Sequence, residues 1–195
     1  MTRGFLPVGD GQTELSEEDR HGLIPTYIAT KGELFEAEQE NIARAMLHRR
    51  STISDLVDDK YLRDFHRAMF GDVWRWAGRY RQRETNLGVD PTEITAAMRV
   101  LVDDVRAWIE YLTYEVGEIA VRYHHRLVAV HPFPSDNGRF SRIAADHVAS
   151  RLGRAQFTWG AGLNLETEPL RAQYRSALQR ADEGDIASLV AFARS

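Results

Sequence analysis

From Leu34 to Val190 the apolar side chains return every three or four positions and seldom alternate. A period near 3.6 is that of a helix with one buried face, whereas a half-buried strand repeats every second residue. Leu34, Ala37, Ile42, Ala45 and Met46 trace one stripe; Leu62, Phe65, Met69 and Val73 trace a second. Ile94, Ala97, Leu101, Val105 and Trp108 make a third, and Ile119, Tyr123, Leu127 and Val130 a fourth. Phe140, Ile143, Ala144, Val148 and Leu152 follow, then Leu170, Tyr174 and Leu178, and last Ile186, Leu189 and Val190. So many stripes in one chain predict an all-α helical bundle.

Helix ends are marked by residues that satisfy free backbone groups. Thr30 and Glu33 have the spacing of a capping box, a second helix is expected from Ser54 toward Trp74 and Trp76, and Ala77-Gly78 stops it. Asp90, Pro91 and Glu93 form another start, while Thr167 and Asp185 are expected to cap the last two helices. Residues 79–90, RYRQRETNLGVD, carry too many charges for a core helix and contain Asn86 and Gly88, so a hairpin or loop is expected there, with a short β-hairpin the favoured form. Arg79, Arg81 and Arg83 would then share one face of a strand, open to solvent or to an acidic partner. Residues 1–29 read as an N-terminal arm and residues 30–195 as a single domain.

Composition narrows the function classes. The 195 residues carry 25 basic and 29 acidic side chains, a formal net charge of -4, which gives no general attraction to nucleic acid or to an anionic membrane. No cysteine is present, so disulfides and thiolate metal sites are excluded, and a reducing, cytoplasmic setting is the expectation. No apolar run approaches the ~18 residues of a membrane span.

One stretch resists a purely structural explanation. In HPFPSDNGRFSR, residues 131–142, the helical pattern breaks and restarts with Arg139 and Arg142 near the new N-terminus, where the helix dipole disfavours cations. The arrangement suits an anion. Free N–H groups of Asn137 to Arg139 point out of the helix start, Gly138 admits a close ligand, and arginines three apart can serve one multi-anion such as a di- or triphosphate. His131, held by Pro132 and Pro134, has the chemistry of a general base. A histidine metal cluster of His124, His125 and His131 is disfavoured because the first and last lie two turns apart with no acid to complete the set. A hydrolytic triad of Ser135, Asp136 and His131 is disfavoured because one turn does not give a base and an orienting group separate directions.

The stretch resembles the Fic (Fido) motif HxFx(D/E)GN(G/K)RxxR at His131, Phe133, Asn137, Gly138, Arg139 and Arg142. LRDFHRAMFGDVWRWAGRYR, VRYHHRLVAVHPF and YRSALQRADEGDIASLVAFA are also similar to Fic segments, and GLIPTYI with LGRAQFTWG resembles the branch called mobile mystery protein B. The resemblance implies a Fic-type bundle with a flap at residues 79–90, and transfer of AMP from Mg-ATP to a hydroxyl of a target protein. In it His131 deprotonates the hydroxyl, Asn137 and Gly138 hold the α- and β-phosphates, and Arg139 and Arg142 clamp the outer ones. The target docks at the flap by strand addition.

Two positions depart from the pattern. Ser135 stands where the family has its Mg²⁺-binding acid, and Asp136 where it has glycine. Asp136 can either replace the lost ligand or cap the next helix and block the anion site; Asp136→Gly would abolish metal-dependent turnover in the first case and raise nucleotide binding in the second. Glu40-Asn41 matches the end of the family's inhibitory pattern (S/T)xxxE(G/N), but Glu36 replaces the hydroxyl residue. Glu40 would bar the γ-phosphate by pairing with Arg142; without it, restraint would fall to an antitoxin-like partner. The alternatives to AMP transfer, weakened as it is by Ser135 and Asp136, are a catalytically silent Fic-fold binding module and a Fic enzyme moving another phosphate-linked group.

Overall fold

The computed structural model describes residues 16–48 and 52–195, so residues 1–15 of the expected arm lie outside it. The helices are α1 (Glu17–His21), α2 (Lys31–His48), α3 (Ile53–Leu56), α4 (Asp59–Phe70), α5 (Ile94–Glu110), α6 (Val116–Val130), α7 (Asn137–Arg151), α8 (Thr167–Asp182) and α9 (Ile186–Arg194). Among the described residues there is no strand, only a bridge between Leu23 and Trp74.

Local chemistry sets most boundaries. Thr30 Oγ1 accepts from the Glu33 N–H at 3.2 Å while Glu33 accepts from the Thr30 N–H at 2.9 Å, the capping box read from the sequence. The single helix expected from Ser54 is two helices, because Thr52 and Asp58 each cap a start, accepting from the Asp55 and Tyr61 N–H groups. Two caps six residues apart cannot serve one helix. Thr167 is the first residue of α8 rather than its cap, and Glu166 before it makes no side-chain cap bond. Asp185 caps α9 as expected, through the Ser188 N–H.

Helix α6 is the axis. Ile119, Tyr123 and Leu127 enter the main core with Leu62, Phe65 and Met69 of α4, Leu101 and Val105 of α5, and Ala144, Ala145 and Val148 of α7. Val121, on the other side of α6, meets Ala177 and Ala181 of α8 and Leu189, Phe192 and Ala193 of α9. Alanines on α7 and α8 let the backbones approach closely. The described end of the arm is tied down: Ile24 N–H donates to Val73 O at 2.8 Å and Arg75 N–H to Gly22 O at 2.8 Å.

The predicted β-hairpin does not form. Arg81 N–H donates to Pro132 O at 2.9 Å and Val89 N–H to Val130 O at 3.4 Å, so the backbone of each arm of residues 79–90 pairs with the last residue of α6 or the loop just after it rather than with the backbone of the other arm. The three arginines part company as well. Arg81 is buried, Arg83 donates to Asp19 at 2.8 Å, and Arg79 is exposed.

Candidate active site

Everything the sequence singled out around residue 131 lies where α6 ends and α7 begins. His131 terminates α6 with left-handed backbone, φ 52° and ψ 58°, and Asp136 precedes α7 with φ 63° and ψ 12°. Left-handed backbone costs a residue with a Cβ about 1–2 kcal/mol, so the surroundings must hold both residues there. Part of that hold is Asn137: its Oδ1 accepts from the Phe133 N–H at 2.9 Å and its Nδ2 donates to Phe133 O at 2.8 Å. The Asn137 side chain is thus spent on the loop. Phe133 is fully buried against Tyr80, Phe140 and the His66 ring, the last only 3.7 Å away between centroids.

His131 is 5% exposed. A carbonyl can only accept, so the 3.3 Å contact of Nδ1 with Val128 O places the proton on Nδ1 and the basic lone pair on Nε2. Burial lowers its pKa to about 4, against the pull of the Val128 carbonyl and aided by the Arg81 charge. The imidazole is neutral at pH 7, as a general base must be.

The α7 N-terminus is free of its expected blocker. Asp136 is the N-cap residue, but its side chain makes no cap hydrogen bond; it turns instead to the Arg139 guanidinium. That corrects the reading in which the carboxylate fills the anion site. A Cβ built on Gly138 would meet nothing within 4 Å among the described residues.

Arg139 is gripped from two sides. Its Nε donates to Asp136 Oδ1 at 3.1 Å, and its Nη2 reaches both Asp136 and Glu38 of α2. Burial and the Asp136 charge raise the Glu38 pKa against the counter-pull of Arg139, and Trp74 Nε1 donates to Glu38 at 2.7 Å. Arg139 Nη1 is buried without a hydrogen-bond partner. Arg142 faces the other way, over the Tyr174 ring of α8 at 5.3 Å. Tyr174 in turn bonds His124 Nε2 at 3.0 Å. The two arginines expected to share one anion therefore contact different helices. Glu40 is exposed and forms no ion pair among the described residues, while Asn41 beside it bonds Ala68 O at 2.9 Å and the Asp72 N–H at 2.9 Å. The α2 carboxylate on a motif arginine is Glu38, on Arg139, not Glu40 on Arg142.

Two further residues escaped the sequence reading. His66 Nδ1 accepts from the Gly78 N–H at 3.1 Å beneath the Phe133 ring, and burial drives its pKa down to about 3. Arg81 was read as one charge of an exposed run. The available signal was Gly88, whose φ of 96° marks a tight return of the chain beside it.

A histidine with left-handed backbone ends one central helix, and the next begins without a side-chain cap hydrogen bond. Residues 56–149 match the Fic/DOC family, and this segment of the chain belongs to it. Among curated proteins, the protein adenylyltransferase Fic of Aedes aegypti is 25% identical over 197 residues, covering 96% of this chain and 38% of that protein. Protein adenylyltransferase fic-1 of Caenorhabditis elegans is 30% identical over 144 residues, covering 70% of this chain and 26% of that protein. The chain thus spans well under half the length of these relatives. Among solved structures, the ADP-bound N-terminal Fic domain of a cell filamentation protein from Bartonella quintana superposes with a TM-score of 0.65 at 18% identity, over 87% of this chain and 86% of that one. BepC of Bartonella tribocorum with bound AMPPNP gives 0.65 at 16% identity over 92% and 97%. The fold is that of these Fic domains.

Proposed function

We propose that the chain is a protein adenylyltransferase that moves AMP from ATP to a hydroxyl of a target protein. The observation that carries this reading is the pairing, in one short loop, of a neutral His131 with an uncapped helix start at Gly138. The target hydroxyl gives its proton to His131 Nε2 as its oxygen attacks the α-phosphorus; the bond from that phosphorus to the bridging oxygen breaks, and pyrophosphate leaves. The α7 N–H groups stabilise phosphate charge, and Gly138 keeps the approach clear. Arg139 supplies a cation with one donor, Nη1, still to satisfy. Arg142 is assigned the outer phosphates, after turning from Tyr174. Asn137 acts by bracing the loop. The target segment docks along the exposed stretch of residues 84–88.

Mg²⁺ belongs to this reaction as part of the Mg-ATP substrate. The residues present do not fit it as a resident ion: Asp136 and Glu38 are the carboxylates at the loop, and the guanidinium of Arg139 stands between them where a bridging dication would sit. No step is assigned to a metal held by Asp136. Glu38 supplies restraint from within the chain, a role that the family resemblance assigned to Glu40 or to an antitoxin-like partner.

The same grip on Arg139 favours a second reading, a binding module that takes no nucleotide. One experiment separates the two. The protein is incubated with Mg²⁺ and each of the four α-phosphate-labelled nucleotides in a cell lysate, with His131→Ala alongside. Label from ATP on a protein band that vanishes with His131→Ala is the expected result; removing a general base costs about 10²–10⁴-fold in rate. No label from any nucleotide would overturn the transferase reading in favour of the module, and label from another nucleotide alone would overturn the choice of AMP.

A further inference from the structure

Arg81 is 2% exposed, and it satisfies its guanidinium on backbone carbonyls. Nε donates to His131 O at 2.7 Å, Nη1 to Arg83 O at 2.9 Å, and Nη2 to Val89 O. Its own backbone N–H donates to Pro132 O at 2.9 Å. One side chain therefore joins both arms of the segment 79–90 to the carbonyl of the loop histidine. Only a planar fork of five donors can span three carbonyls in fixed directions; an ammonium on a flexible stem cannot.

The neighbouring glycine closes the same clamp. At Gly88 a Cβ would stand 2.5 Å from His131 Cβ, 2.7 Å from Arg81 Nη2 and 2.9 Å from Val130 O. No side chain fits without pushing His131 or Arg81 aside, and φ of 96° asks for glycine independently. His131 is thus fixed by its N–H on Leu127 O at 3.1 Å, by its carbonyl on Arg81, and by the Gly88 backbone against its Cβ. This is the outside support that its left-handed backbone requires.

We infer that Arg81 is a positioning residue that holds His131 in its left-handed conformation and sets the charge around its ring, with Gly88 as the seat that lets the clamp close. Its value for transfer rests on the reading of His131 as the base. Among the described residues, burial opposes protonation of the ring most, the Val128 carbonyl of α6 favours it, and the Arg81 guanidinium of residues 79–90 opposes it. From α7, Asp136 and Arg139 are committed to each other.

The test is an NMR titration of the His131 ring in the full chain without nucleotide, in the native protein and in Arg81→Gln, Arg81→Lys and Gly88→Ala. Native His131 is expected to titrate near 4. Arg81→Gln should raise the midpoint by only a small part of the gap to 6.5, burial being the larger cause, and lower transfer at least tenfold in kcat, with nucleotide Kd unchanged. Arg81→Lys, which keeps the charge but not the fork, should restore most of the midpoint and little of the kcat. Gly88→Ala keeps Arg81 and reaches the seat alone, so it should lower kcat without the full shift in titration; it also keeps the test open if Arg81→Gln fails to fold. Folded Arg81→Gln with native titration and native kcat would overturn the inference. Absence of transfer by the native protein, beside a shifted titration in Arg81→Gln, would count against the transferase reading and support the clamp.

Discussion

Taking the pH from 7 to 5 is expected to remove about 4 kcal/mol of folding stability through His66 and His131 alone. Both are buried and neutral, with pKa values lowered to about 3 and about 4. The unfolded chain takes up protons at these positions below about 6.5, and the folded chain does not until pH falls to 3 or 4. Folding therefore excludes a proton at each site through that window, and stability drops as pH falls. At pH 5 the gap is about 1.5 units per histidine, or roughly 2 kcal/mol each. His124, pushed well below its ordinary value by burial, adds in the same direction. Glu38 and Asp146, whose pKa values burial raises, work the other way, but from the carboxylate range. Against a typical domain stability of about 5–15 kcal/mol, the loss is large. Urea unfolding at pH 7, 6 and 5 should show a falling midpoint. His66→Gln, which can still accept from the Gly78 N–H, should flatten the slope by about 1.4 kcal/mol per pH unit. A midpoint constant from pH 7 to 5 would contradict the assignment of neutral buried histidines.

The second large effect is expected from Glu38→Gln, which should tighten ATP binding about a hundredfold. Glu38 and Asp136 set two negative charges on the single positive charge of Arg139, leaving the cluster net negative where a polyphosphate would arrive. A carboxylate about 6 Å from one phosphate charge costs roughly 3 kcal/mol at an effective dielectric near 20. Glutamine keeps an acceptor for Trp74 Nε1 and gives up the charge. Asp136→Gly should act in the same sense, because it too removes a carboxylate from Arg139. Calorimetric titration of Mg-ATP into the three proteins reads the affinities. Equal affinities throughout would show that Arg139 does not meet the phosphates.

Much of this was written in local sequence. The stripes through Leu34, Phe65, Leu101, Tyr123 and Val148 gave helices, because burial of one face needs only a period and a cap. The junction at residues 131–142 could be placed because His131, Pro132 and Gly138 act on neighbouring backbone. Contacts made at long range were not legible. Glu38 reaches Arg139 across 101 positions of sequence and Arg81 reaches His131 across 50, and no pattern in either segment records the partner. The mistaken hairpin has the same origin: charge in RYRQRE was read as solvent-facing, yet Arg81 points inward because carbonyls at the end of α6 can satisfy it. The break at Asp58 was missed because Leu56 and Leu62 continue an apolar pattern across it, while the caps at Thr52 and Asp58 decide the geometry.

The most direct measurement of the central claim is the response of backbone amides to ATP, followed by NMR on the 195-residue chain with Mg²⁺ present. Phosphates seated at the start of α7 would produce the largest shifts at Asn137, Gly138 and Arg139, with His131 next, and a stronger response at the same residues in Glu38→Gln. Largest shifts instead in the cavity of about 700 Å³ lined by Glu115, Arg154, Phe157 and Arg194, or none at the loop at saturating ATP, would contradict a nucleotide site between His131 and Arg142.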